Sequence, residues 1–268
     1  MKLATLKNGS RDGTLAVVSR DLSKMAPASA VARTLQIALE KWTDAAPRLE
    51  QLFEAVNAGT ADGIRDYDPE ALESPLPRTY QFIDGSAYLN HVELFRKARG
   101  AQMTQKLREV PLMYQAVSDG FLRPTGAIPV ADPELGIDME AEVGVIVDDV
   151  PMGVSVETAA QYIKLFVLIN DISLRALIPE ELNTGLGYFH GKPRSSLSPV
   201  AVTPDELGAA WGWQQGTFGD AGEAQSGADR YAQLRRRYGF RFPPVDLPCR
   251  QDAALVRRYA DRRGRDLE

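Results

Sequence analysis

The stretch Gly136-Ile137-Asp138-Met139-Glu140-Ala141-Glu142-Val143-Gly144-Val145-Ile146-Val147-Asp148-Asp149 decides the reading of this chain. β-Branched residues dominate its second half, and turn-formers bound it at Gly136 and Asp148-Asp149, a pattern that predicts a strand. Side chains two apart in a strand share a face. Glu140 and Glu142 therefore lie together, and Ala141, Val143, Val145 and Val147 line the opposite face. A plain solvated strand would show the same alternation. Ile146 and Val147 close an apolar run, however, which predicts burial on both faces near the strand's end. Two carboxylates beside such a run repel each other unless a cation lies between them, and a divalent metal is the simplest solution.

Around this stretch the sequence predicts short strands and few long helices, hence a β-rich α+β fold. Two strands flank the Gly9–Gly13 turn, and helices are predicted from Ser29 to Trp42 and from Ala46 to Val56. The proline-rich stretch from Asp66 to Pro77 reads as a boundary. It divides an N-terminal domain, 1–77, from a larger β-roll domain, 78–211. In the second, a strand is predicted at Thr79–Ile83 and a helix from Tyr88 to Gln102. Short segments follow at Leu112–Ala116 and Ile128–Val130, with a capped turn at Ser155–Gln161. Leu165–Ile169 is a short strand delivering Asn170-Asp171 at its end, and Leu197–Val202 is a last strand.

The 268 residues can bury a sizeable core, and 44% hydrophobic with 25% charged residues is the composition of a soluble globular protein. A net charge of −5 argues against a nucleic-acid partner. No apolar leader follows Met1-Lys2 and no run is long enough to span a bilayer, so a cytoplasmic protein is expected. The single cysteine, Cys249, supports neither an internal disulfide nor a thiolate metal cluster.

Two further acids follow apolar residues: Asp84 in Gln81-Phe82-Ile83-Asp84-Gly85, and Asp171 after Leu165-Phe166-Val167-Leu168-Ile169. Acids at strand ends are also ordinary turn-formers. With Glu140 and Glu142 they offer four oxygens from separate segments, a donor set for a hard cation. His91 lies seven residues after Asp84; a lone histidine is more often a hydrogen-bonded structural residue than a base. His190 and Lys192 sit in the loop Tyr188-Phe189-His190-Gly191-Lys192-Pro193, where the lysine is either solvated or presented to an anion.

Asp84 with His91, Asp138-Met139-Glu140-Ala141-Glu142, Asn170-Asp171-Ile172-Ser173-Leu174-Arg175, and Phe189-His190-Gly191-Lys192 followed by Ser198-Pro199 together resemble the fumarylacetoacetate hydrolase family. The resemblance runs from about Arg78 to Trp211. It implies that Asp84, Glu140, Glu142 and Asp171 hold a divalent metal, Mg²⁺ first, with Ca²⁺ or Mn²⁺ as alternatives. It implies that His91 is the general base on a water, that Arg175 and Lys192 bind the acidic substrate or the developing enolate, and that Tyr114 contacts substrate. It also implies a mixed β-sandwich roll and a homodimer. The expected reaction is hydrolysis of a carbon–carbon bond in a 1,3-diketone acid such as fumarylacetoacetate or an acylpyruvate, as in aromatic amino acid catabolism. Decarboxylation or hydration of a 2-oxo acid would use the same site, and an inactive remnant is the rival outside enzymology. After Arg175, Ala176-Leu177-Ile178-Pro179 replaces the polar contacts common in the family, which leaves the substrate open.

From Gly212 the composition shifts. Residues 1–211 carry 20 Lys and Arg against 28 acids; the last 57 carry 11 Arg, no Lys and 8 acids, a net of +3 against −8. Arg235-Arg236-Arg237 and Asp261-Arg262-Arg263-Gly264-Arg265-Asp266 match no buried face. A basic surface tail is one reading. A shifted reading frame is the other: read one nucleotide later, the codons for Gly239–Pro243 can encode Phe-Asp-Phe-Pro. Either way residues 212–268 are expected to lie outside the sheet, leaving the β-roll incomplete at its C-terminus.

Overall fold

The computed structural model describes residues 1–86, 89–98 and 100–210; expectations for Trp211 and the tail 212–268 lie outside the described residues. Strands β1 (Lys2–Leu6), β2 (Thr14–Val18) and β3 (Lys24–Pro27) form an antiparallel meander, its first turn at the Gly9–Gly13 segment. Helices α1 (Leu35–Glu40) and α2 (Trp42–Asn57) follow. The cap of α1 is Thr34, whose hydroxyl accepts from Ile37 N, rather than Ser29, because residues 29–34 are used to return the chain across the sheet: Leu15 N donates to Arg33 O. Strands β4 (Arg65–Asp66) and β5 (Leu72–Glu73) complete this part, on β3 and β1 respectively.

Strand β6 (Ile83–Gly85), helices α3 (Leu89–Ala98) and α4 (Gln105–Glu109), and strand β7 (Met113–Gln115) come next; β6 and β7 pair as a separate antiparallel ribbon. The organising stretch is strand β8 (Ile137–Val147). After the turn α5 (Val156–Ala159), capped by Ser155 as predicted, the chain enters β9 (Ile163–Leu174). Helix α6 (Ile178–Thr184) was not legible in the sequence. The expected strand Leu197–Val202 is split by Ser198-Pro199 into β10 (Ser196–Leu197) and β11 (Ala201–Val202).

The main sheet runs β10-β9-β11-β1-β2-β3-β4, with β5 added to β1 and β8 to β9. Residues 1–77 and the later strands thus share one sheet, joined where Leu3 faces Ala201. They also share a core: Leu3, Leu15 and Val17 pack with Leu35, Leu49 and Phe53 of the helices and with Leu165, Val167 and Ile169 of β9. Burying each such side chain contributes about 1.5–3 kcal/mol.

The β8–β9 ladder sets the geometry of everything that follows. Ile137 to Ile146 are paired in register from Leu174 to Leu165, with a bulge before Val147. Glu142 faces Ile169, Gly144 faces Val167 and Ile146 faces Leu165, so the acid face of β8 is the core face. The expectation of burial on both faces fails: Val143, Val145 and Val147 are 44, 47 and 42% exposed. Asp171 likewise is not at a strand end but in the middle of β9, because β8 supplies partners as far as Leu174.

A carboxylate cluster with two clamped cations

β8 presents Glu140 and Glu142 on one face. Directly opposite Glu140 across the ladder stands Asp171, and the β6–β7 ribbon brings in Asp84 with Tyr114 opposite it. Oxygens of Asp84, Glu142 and Asp171 all lie within 4.8 Å of one another. Glu140 joins this group through a cation of the protein itself. The ammonium of Lys192 lies 2.8 Å from Glu140 Oε2 and contacts Asp171 Oδ2. Glu140 Oε1 pairs with the guanidinium of Arg175, which also donates through Nε to Asp138 Oδ2 at 2.8 Å.

The charges respond as this geometry requires. Burial and the neighbouring Asp84, Asp171 and Glu140 push the Glu142 carboxyl up to about 8. Burial also raises Asp171, against the pull of Lys192. For Glu140 burial is outweighed by Arg175 and Lys192, and its carboxyl stays below the usual range. Burial would discharge Lys192 and Arg175, but the acids around them win and both are held charged. Tyr114, desolvated and facing Asp171 and Asp84, is pushed far above the ordinary phenol range; its hydroxyl donates to Asp171 Oδ2 at 3.4 Å.

His91 lies on α3, one turn before Phe95, and their rings meet at a 49° tilt with centroids 4.5 Å apart. Phe95 in turn carries the Arg175 guanidinium 5.0 Å above its face. Desolvation lowers the imidazole pKa, Glu140 opposes this, and Arg175 and Lys192 reinforce it, so the ring is neutral at neutral pH. His91 thus borders the cluster on an exposed helix rather than sitting in the apolar core.

The sequence alone assigns no role to three residues that build this site. Asp138 is legible afterwards: it lies two before Glu140, on the same face, and orients Arg175. Ser195 donates to Asp171 Oδ1 at 2.9 Å from a buried position, which no local pattern signals. Tyr188 packs edge-on against Tyr114 at 4.7 Å.

Three carboxylates at this spacing, one pushed toward its protonated form by burial and by the other two, fit a hard divalent cation. Asp84, Glu142 and Asp171 would hold it, with Glu140 next to them.

Residues 1–78 match the family model for fumarylacetoacetase N-terminal domain 2, and residues 81–229 match that for the fumarylacetoacetate (FAA) hydrolase C-terminal domain. The chain belongs to the fumarylacetoacetate hydrolase family. A structural relative is maleylpyruvate hydrolase from Sphingobium sp. SYK-6 in complex with manganese(II) ion and pyruvate. It is 17% identical, with a TM-score of 0.50 over 76% of this chain and 68% of that one. A second structure of the same hydrolase is 16% identical, also at 0.50 and the same coverage. At this identity the likeness shows the fold alone, an α+β fold of the fumarylacetoacetate hydrolase type. No curated protein matches the chain by sequence. No helix among the described residues is long and apolar enough to cross a membrane.

Proposed function

We propose that this member of the fumarylacetoacetate hydrolase family is a divalent-metal-dependent hydrolase that cleaves a carbon–carbon bond in a small 1,3-diketone acid of the fumarylacetoacetate or acylpyruvate type. The observation that carries the reading is the convergence of Asp84, Glu142 and Asp171 beside two fixed cations, Lys192 and Arg175. Asp84, Glu142 and Asp171 would hold a divalent cation, Mg²⁺ or Mn²⁺, which when bound would supply Lewis acidity toward a carbonyl and balance developing negative charge. His91, neutral at the rim of the cluster, takes a proton from water as the water oxygen bonds to one carbonyl carbon. The adjacent carbon–carbon bond then breaks, and its electron pair leaves as an enolate that takes up a proton. Lys192 and Arg175 present positive charge to that enolate and to the substrate carboxylate, and Tyr114 orients the substrate. The proposal includes a homodimer; the exposed stripe Val143, Val145 and Val147 is the kind of apolar surface an interface would cover.

The test is turnover by the purified chain with Mn²⁺ or Mg²⁺. Fumarylacetoacetate, maleylpyruvate and simpler acylpyruvates are followed by loss of the enol absorbance, with products identified by mass spectrometry. Two carboxylic acid fragments per diketone are expected. Decarboxylation of oxaloacetate with the diketones untouched, or no turnover of any of them, overturns the assignment.

A further inference from the structure

The loop from Gly185 to Lys192 has little apolar anchorage: Leu186 and Phe189 are 94 and 75% exposed. Yet its last residue, Lys192, is buried and aimed at two carboxylates. Besides the Tyr188 ring against Tyr114, one side chain of α6 holds the end of the loop. Glu181 Oε2 accepts from Phe189 N at 3.0 Å and from Gly191 N at 2.9 Å, and Oε1 accepts from His190 N at 2.6 Å. Three successive amides thus converge on a single carboxylate, a concave arrangement suited to an anion. On its other side Gly191 accepts from Leu174 N at 2.8 Å, one residue before Arg175. A side chain at 191 does not fit, since its Cβ would lie 2.9 Å from both Glu181 Oε2 and Ile178 Cγ1.

We propose that Glu181 is a positioning residue of the site: its carboxylate, gripped by the amides of Phe189, His190 and Gly191, sets the register from which Lys192 reaches Glu140 and Asp171. Glu181, which also lies 3.4 Å from His190 Nδ1, acts on the site through Lys192. Charge-assisted bonds to backbone amides are shorter and stronger than neutral ones, so an isosteric amide in its place cannot replace the grip. Glutamine loses one acceptor and turns an NH₂ group toward amide N–H groups that also donate. The inference rests on Lys192 belonging to the proposed site, but its test uses no substrate.

The experiment is acylation of the full chain with an N-hydroxysuccinimide ester, with Lys192 quantified by peptide mass spectrometry alongside amide hydrogen exchange. In wild type, buried Lys192 is labelled slowly. In Glu181→Gln its labelling rate is expected to rise tenfold or more, and amides 189–191 to exchange at least tenfold faster, with β9 amides unchanged. Glu181→Asp, which keeps both oxygens on a shorter stem, should fall between, and exposed Glu180→Gln should match wild type. Gly191→Ala, which drives a methyl group into the Glu181 carboxylate, should expose Lys192 as Glu181→Gln does and serves if that variant fails to fold. Lys192 labelled at the wild-type rate in these variants overturns the proposal. So does labelling that rises only in step with β9 exchange. A chain that turns over no diketone would leave this outcome standing.

Discussion

Lys192 and Glu140 form an ion pair of 2.8 Å inside the protein, and the same ammonium contacts Asp171 across the ladder from Glu140. Removing one partner of a buried pair leaves the other charge uncompensated, which costs more than the pair contributes. Lys192→Met is therefore expected to destabilise the metal-free protein by about 3–5 kcal/mol. Chemical denaturation measures this. A loss under about 1 kcal/mol, the range of exposed pairs, would show that water already screens the site.

Divalent metal should stabilise the fold. At a free concentration one hundred times its Kd, a cation that binds only the native state adds about 2.7 kcal/mol. For a chain of this size that is a rise in Tm of roughly 5–10 °C. Glu142→Gln removes one of the three converging carboxylates and should weaken the metal Kd and shrink the rise. Calorimetry with Mn²⁺ and Mg²⁺ settles it; an unchanged Kd in Glu142→Gln would place the ion elsewhere.

Much of this arrangement is legible in the sequence, and the missing part has a physical cause. Alternation fixes which side chains of β8 share a face, and Glu140 and Glu142 do share one. It does not reveal which face is covered. That depends on β9 and on α1 and α2, which bury the acid side and leave the valines in the open. Asp171 was expected at a strand end because Asn and Asp disfavour strands; tertiary pairing with β8 overrode that preference. Ser195 and Glu181 act through contacts set by folding, and neither carries a local pattern.

Metal-free stability should depend on pH through Glu142. Its carboxyl is held near 8 in the fold and titrates near 4.5 when unfolded. Between these values the native state keeps a proton that the unfolded chain has lost, so stability falls as pH rises from about 4.5 toward 8. Below 4.5 the group contributes no slope. Tm measured against pH should therefore decline more steeply for wild type than for Glu142→Gln without metal. Parallel curves would mean that Glu142 is already ionised at neutral pH.

Gly144 separates Glu142 from Ile146 on the core face of β8. A Cβ there would lie 2.5 Å from Ile169 Cδ1 and 3.1 Å from Val167 Cγ1, both within the packed core. Alanine in place of glycine normally favours a strand by roughly 0.5–1 kcal/mol, through the entropy of the unfolded chain. Forcing an extra methyl into a dense core costs about 1–3 kcal/mol. The second effect is larger, so Gly144→Ala should be destabilised by about 1–2 kcal/mol and Gly144→Val by more. Ile169 stands opposite Glu142 and two residues before Asp171, so its displacement should also weaken metal binding severalfold. Denaturation midpoints and a metal titration of Gly144→Ala test both halves. A variant as stable as wild type, with wild-type metal affinity, would show that Ile169 can turn its terminal methyl aside without disturbing either acid.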